Sequence, residues 1–189
     1  MTSQLRPALT GLLLLSALTG VAYPLVVTGL ARLAFPHQAQ GSLLRLDGCV
    51  VGSALIGRAW TDPACFWGRP SATSPPYDAS ASGGSNLAPS NPDLRKAVAA
   101  RIQALRAADP TQSAPLPVDL VTTSASGLDP HISPAAAEWQ VPRVARARGL
   151  DEARVRALVE AHVERPQLGF LGEPRVNVQR LNLDLDALR

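Results

Sequence analysis

A chain of 189 residues with a formal charge of +3 and only 4% aromatic residues has room for one sizeable soluble core. The charge excess is small and forms no block of one sign, and aromatics for base stacking are scarce, so nucleic-acid binding is excluded as a class. His37, His131 and His162 are too scattered for a metal cluster, and Cys49 and Cys65 have no His spaced to join them.

In chain order, the first feature is the run from Ala8 to Ala31, ALTGLLLLSALTGVAYPLVVTGLA, which carries no charge. It is about 24 residues long, where about 20 suffice to cross the hydrocarbon core and a signal peptide's apolar region ends by about 15. The expectation is a short cytoplasmic tail at 1–7, a transmembrane helix at 8–34 and an extracytoplasmic domain at 35–189. Gly20-Val21-Ala22 is a weak cleavage signal. Pro24 removes a backbone bond inside the span, which a neighbouring helix can absorb. Gly11, Ser16, Gly20 and Gly29 are small, which suits packing on another membrane helix; a plain lipid-facing anchor is the alternative. Arg6 flanks one side and Arg32 the other, so the positive-inside rule decides weakly; the very short tail favours the N-terminus inside.

Asp47-Gly48 then marks a hairpin, because a type I′ turn takes positive φ at both central residues; it should pair Leu43–Leu46 with Val50–Ile56. Thr61 to Pro92 is rich in Ser, Pro and Gly, yet Phe66, Trp67 and Tyr77 within it argue for an ordered, partner-facing loop. Asn91-Pro92-Asp93 opens a helix striped by Leu94, Val98, Ile102 and Leu105 and ended by Asp109-Pro110. Val118 to Val121 is a short strand or the entry to the next segment. Ser133-Pro134 opens another helix, which Pro142 should break near Val141 or restart. Asp151 caps a further helix that Pro166 stops. From Val176 to Leu185 apolar residues alternate with one parity slip at Gln179-Arg180, which predicts a bulged strand closing a small sheet. The expected fold class is α+β, one N-terminal transmembrane helix followed by a small mixed α+β extracytoplasmic domain.

The densest run of turn formers is TTSASGLDPHISP, where Ser124, Ser126, Gly127, Asp129 and Pro130 precede His131. Ser124 or Ser126 with Asp129 and His131 has the residue types of a hydrolase triad. The four lie close in sequence without a G-x-S-x-G elbow, so a hydrogen-bonded turn with a buried His is the plainer interpretation. Ser82-Gly83-Gly84-Ser85-Asn86 is either an anion-binding nest or a tight Gly-dependent turn; it lacks the Lys-Ser/Thr ending of a phosphate loop. Arg69 is placed to pair with a carboxylate of a partner or of this chain. In an oxidising compartment Cys49 and Cys65 either pair or stay two separate buried thiols.

The run TTSASGLDPHISPAAAEWQVPRVA, together with GSALIGRAWTDPACFWGRPSAT, SGGSNLAPSNPDL and the single apolar span, closely resembles the C subunit of the Kdp potassium-transporting P-type ATPase. The resemblance covers nearly the whole chain; Cys65 and Ser74-Pro75-Pro76 before Tyr77 are minor departures. It implies a non-catalytic, single-pass accessory subunit of a high-affinity potassium uptake pump in the bacterial plasma (inner) membrane. The implied partners are a channel-like potassium-binding A subunit, an ATP-hydrolysing B subunit, a small F peptide and the lipid bilayer. ATP, Mg and K+ would serve the complex, with no cofactor bound by this chain. The implied role is to stabilise the complex and, chaperone-like, to assist the B subunit; with the domain outside, that help would pass through the helices. The candidate partner-binding residues are Trp67, Arg69, Tyr77, Gly83, Gly84, Asn86, Ser126, Asp129 and His131, on two loops expected to form one surface. The competing expectation is a membrane-anchored extracytoplasmic serine hydrolase.

Overall fold

The uncharged run forms one helix of 30 residues, Leu5–Ala34, in the computed structural model, which describes residues 2–188. Two α-helical segments, α1 (Leu5–Ala17) and α2 (Tyr23–Ala34), join through a π turn at Leu18–Ala22. Pro24 explains the π turn. Its ring has no N–H and crowds the carbonyl of the preceding turn. The widened turn ahead of it lets the Tyr23 N–H donate to the Leu18 carbonyl, so the helix runs on. None of these helical residues is buried, and the helix is long and apolar enough to cross a membrane. A Cβ added at Gly11, Gly20 or Gly29 would meet nothing within 4 Å, so these positions stand open; Ser16 is likewise exposed. A single helical turn, α3 (Pro36–Ala39), follows.

The chain divides at Leu43/Leu44 into this helical unit and a larger second unit. The hairpin pairs β1 (Leu43–Leu46) with β2 (Cys49–Ser53). Asp47 and Gly48 have φ of 50° and 81°, as a type I′ turn requires. β2 stops at Ser53, short of the expected Ile56, because Ser53 turns the chain. Its Oγ accepts the Leu55 N–H and its carbonyl the Ile56 N–H.

A three-stranded antiparallel sheet has the order β3 (His131–Ile132), β5 (Arg175–Asn177), β4 (Val163–Glu164). Helices α4 (Pro92–Ala108), α5 (Pro134–Arg148), α6 (Glu152–Ala161) and α7 (Val178–Ala187) complete the unit. Asn91, Ser133, Asp151 and Asn177 each accept a first-turn N–H as N-caps. The core draws on α5, α6, α7 and β5, with Val141, Val144, Val155, Val176, Leu181 and Leu185 all at 0% exposure. Val118–Leu120 is a 3-10 turn, not a strand.

Further expectations are corrected. Pro142 does not break α5, which continues to Arg148 and ends at Gly149 in the left-handed conformation. An interior proline costs roughly 3 kcal/mol, but Gln140, Val141, Arg143 and Val144 flank it in the core, and their burial outweighs that cost. The C-terminal segment is not a bulged strand. Only Arg175–Asn177 is extended, and it is the central strand; Asn177 then caps α7. The parity slip marks this change of period, since Val178, Leu181 and Leu185 are buried at helical spacing. The cysteines are both free, Cys65 buried and Cys49 exposed, so they neither pair nor share a buried environment. Burial pushes the Cys65 thiol up, despite the Arg148 guanidinium nearby.

Between β2 and α4 the chain has no helix or strand, yet it is pinned. The Asn182 side chain accepts the Phe66 N–H at 2.8 Å and donates to the Phe66 carbonyl at 2.9 Å. Gln140 treats Trp67 the same way, at 2.8 and 3.0 Å. Asn182→Ala should therefore leave two buried backbone groups unsatisfied and cost on the order of 3 kcal/mol. Chemical unfolding of the full chain in detergent measures this; a loss under about 1 kcal/mol would show that the loop is held from elsewhere.

Candidate functional site

The two polar loops lie against each other along a seam of hydrogen bonds. Ser71 Oγ donates to the Gly127 carbonyl at 2.7 Å and accepts the Tyr77 N–H at 3.0 Å. The Gly83 N–H donates to the Ser126 carbonyl at 2.9 Å, and Ser82 Oγ reaches the same oxygen at 3.1 Å. Thr123 Oγ1 donates to Ser85 Oγ at 3.2 Å. Gly127 has φ 68°, and a Cβ there would come within 2.8 Å of both the Gly83 carbonyl and Thr73 Cγ2. The close approach therefore needs glycine at this position.

This seam accounts for Gly84, whereas a Cβ added at Gly83 would meet nothing within 4 Å. Gly83 spends its N–H inside the chain, and a Cβ on Gly84 would meet the Ala125 carbonyl at 3.0 Å. The Ser82–Asn86 run forms no turn; it lies along the facing loop with its Gly83 N–H engaged, and Asn86 has φ 52°. Ser124 Oγ accepts the Gly127 N–H at 2.9 Å, and Ser126 Oγ the Leu128 N–H at 3.1 Å, so both hydroxyls serve the turn. The His131 ring lies between Asp129, 3.4 Å from Nδ1, and Asn177, 3.4 Å from Nε2.

The aromatic residues support the seam from beneath. The Trp67 ring stacks on the Arg143 guanidinium at 4.1 Å, and its Nε1 donates to the Asp62 carbonyl at 2.8 Å. Burial pulls Arg143 down to about 10. The Tyr77 hydroxyl donates to the Arg69 carbonyl at 2.5 Å. Burial pushes that phenol up to about 12; the Asp129 charge adds to the rise and Arg69 opposes it. A Cβ on Gly57 would run into the Tyr77 ring and come within 2.7 Å of the Asp129 carbonyl.

Arg69 joins the loops electrostatically. Its Nη1 lies 3.3 Å from Asp129 Oδ2 and its Nη2 donates to the Thr123 carbonyl at 3.1 Å. The carboxylate partner of Arg69 is thus internal. Asp129 also accepts the His131 N–H at 3.0 Å. Burial raises the Asp129 carboxyl, but the hydrogen bonds and charge of His131 and the charge of Arg69 outweigh it and hold the group below its ordinary range. Arg69, Asp129 and His131 remain partly exposed and line two hollows of about 610 and 570 Å³. The first also takes in Asp119, Glu173 and Arg175. Sequence reasoning missed these three. Glu173 and Arg175 arrive only because β5 pairs with β3, and no local signal announces that pairing.

The chain matches the family described as KdpC, K+-transporting ATPase, c chain, over residues 5–187. It is 65% identical over 190 residues to a potassium-transporting ATPase KdpC subunit of Sorangium cellulosum, covering 100% of each chain. It is also 65% identical over 190 residues to the subunit of that name from Polaromonas naphthalenivorans, covering 100% of this chain and 97% of the relative. To that of Methylococcus capsulatus it is 59% identical over 190 residues, with 100% of each covered.

Asp129→Asn should cost about 1–2 kcal/mol at neutral pH. Because the folded carboxyl titrates below its unfolded value, near 4, that stability is complete above the unfolded value and is lost as pH falls through the lowered folded one. Urea unfolding of both proteins from pH 7 to pH 2 should show the gap closing at the acid end. A gap that stays constant would mean the charge contributes nothing.

Proposed function

The chain belongs to the KdpC family, the C chain of the K+-transporting ATPase, and from that membership we propose that it is the non-catalytic accessory subunit of an ATP-driven potassium uptake pump. Its partners in this proposal are a channel-like potassium-binding subunit, an ATP-hydrolysing subunit and a small membrane peptide. ATP, Mg and K+ are handled by those partners. The proposed topology is single-pass in the bacterial plasma membrane, with residues 1–7 inside, the helix spanning at 8–34 and residues 35–189 outside. The observation that carries the reading is the match over residues 5–187, which takes in both the apolar helix and the interlocked loops.

The geometry favours a structural role over the serine-hydrolase alternative. The hydroxyls of Ser124 and Ser126 are engaged as acceptors of turn N–H groups, and the ring of His131 sits against Asp129 and Asn177. We assign docking on the channel-like subunit to the rim formed by Arg69, Gly83, Gly84, Asn86, Ser126, Asp129 and His131, with Trp67 and Tyr77 fixing its shape. A rim already ordered by internal hydrogen bonds loses little entropy on binding. Assistance to the ATP-hydrolysing subunit then passes through the membrane helices, since nucleotide lies on the other side of the bilayer in this topology.

The helix offers Gly11, Ser16, Gly20 and Gly29 as open positions for partner helices. Gly20→Leu and Gly29→Leu should each weaken packing by about 1–2 kcal/mol, about tenfold in association. The readouts are co-purification of the complex in detergent and its potassium-stimulated ATPase. Unchanged assembly with both variants would place the packing face elsewhere.

A further inference from the structure

Three large apolar side chains stand in solvent on the connection between β4 and β5: Leu168 at 83%, Phe170 at 75% and Leu171 at 49% exposure. The turn that carries them is tightly bonded. The Gln167 N–H donates to the Leu171 carbonyl at 3.0 Å, the Leu171 N–H returns to Gln167 at 2.9 Å, and the Gly169 N–H donates to Pro166 at 3.1 Å. Leu168 has φ 54°, in the left-handed region where a leucine is strained. Strain and apolar exposure thus fall on one residue, whose side chain gains little from its own domain.

We propose that this turn inserts into the lipid of the membrane that Leu5–Ala34 crosses, with acyl chains as its ligand. Three observations identify lipid as the occupant. First, Leu44 follows the end of the apolar helix at Ala34 by about ten residues, a reach of at most about 35 Å and shorter with α3 coiled within it. So short a tether raises the effective concentration of lipid around the second unit, whichever way that unit is turned. Second, no charge lies between Pro166 and Gly172. Third, the charges flanking the turn nearly balance: Arg165 and Arg175 stand against Glu164 and Glu173, and Glu164 pairs with both Arg175 at 2.9 Å and Arg180 at 3.7 Å. No block of one sign selects an acidic or basic protein face, so apolar burial is the main driving force. Leu and Phe on an uncharged projection are suited to the boundary between headgroups and acyl chains. Insertion requires the membrane anchor but not the pump, so its failure would leave the proposed function standing.

The test uses the full chain reconstituted without other subunits in phosphatidylcholine vesicles, with either Phe170→Trp or Leu168→Trp. The signal of the native Trp60, Trp67 and Trp139 is subtracted using the unsubstituted chain. Replacing the lipid by its chain-brominated form should quench at least about half of the added emission, the depth expected of an interfacial side chain, and that emission should be blue-shifted. Bromolipid fills both leaflets, so the result does not depend on which way the chain inserts. Water-like, unquenched emission from both variants overturns the proposal, as does shielding that arrives only when the other subunits are added.

Discussion

Two side-chain amides hold the larger unit in its shape. Gln140 on α5 and Asn182 on α7 each grip one residue of a chain segment that belongs to no helix or strand, accepting its N–H and donating to its carbonyl. Buried backbone must find partners, and here the amides supply what a neighbouring strand would. Phe66 is thereby carried to 0% exposure. Arg143 reinforces the clamp, donating to the carbonyls of Pro63 and Cys65 and to Gln140 Oε1 while stacking on Trp67. Without these contacts, a loop running from Ala54 to Asn91 would have little reason to keep one path.

The arrangement of the two polar loops follows from that anchoring. Once Phe66 and Trp67 are fixed, Arg69 reaches Asp129 and the Thr123 carbonyl, and the Ser71 hydroxyl reaches Gly127. The seam is polar, made of hydroxyls, carbonyls and one partly exposed ion pair. Each such bond is worth only about 1 kcal/mol, so the loops hold their shape through the number of bonds and through the turn residues that pre-set the backbone. The sheet itself contributes little area, with strands of two and three residues. Most of the apolar stabilisation comes from α5, α6 and α7 closing over β5.

The apolar helix works by a different rule. It buries nothing within its own unit, and its small residues face open space. A helix of that kind gains its packing from outside the chain, from lipid or from other helices. This subunit therefore presents a preshaped polar rim on one unit and an unfilled helix surface on the other, as suits a member of a larger membrane assembly.

The single span, the type I′ hairpin at Asp47-Gly48 and the capped helices at Asn91, Ser133 and Asp151 were legible because each depends on a few adjacent residues with fixed preferences. The resemblance that named the family was carried by loop motifs, whose turn residues are also local. Two elements went the other way. Pro142 stays inside α5 because burial on both sides outweighs its intrinsic cost, a balance no local pattern contains. The final segment is a helix because its leucines meet a core at helical spacing, where the same residues also nearly fit a strand. Only the tertiary structure decided that Gln140 and Asn182 would act as backbone partners, and that Glu173 and Arg175 would join Asp129 at one hollow. Those contacts join residues far apart in the chain, and it is packing, not sequence spacing, that sets the distances between them.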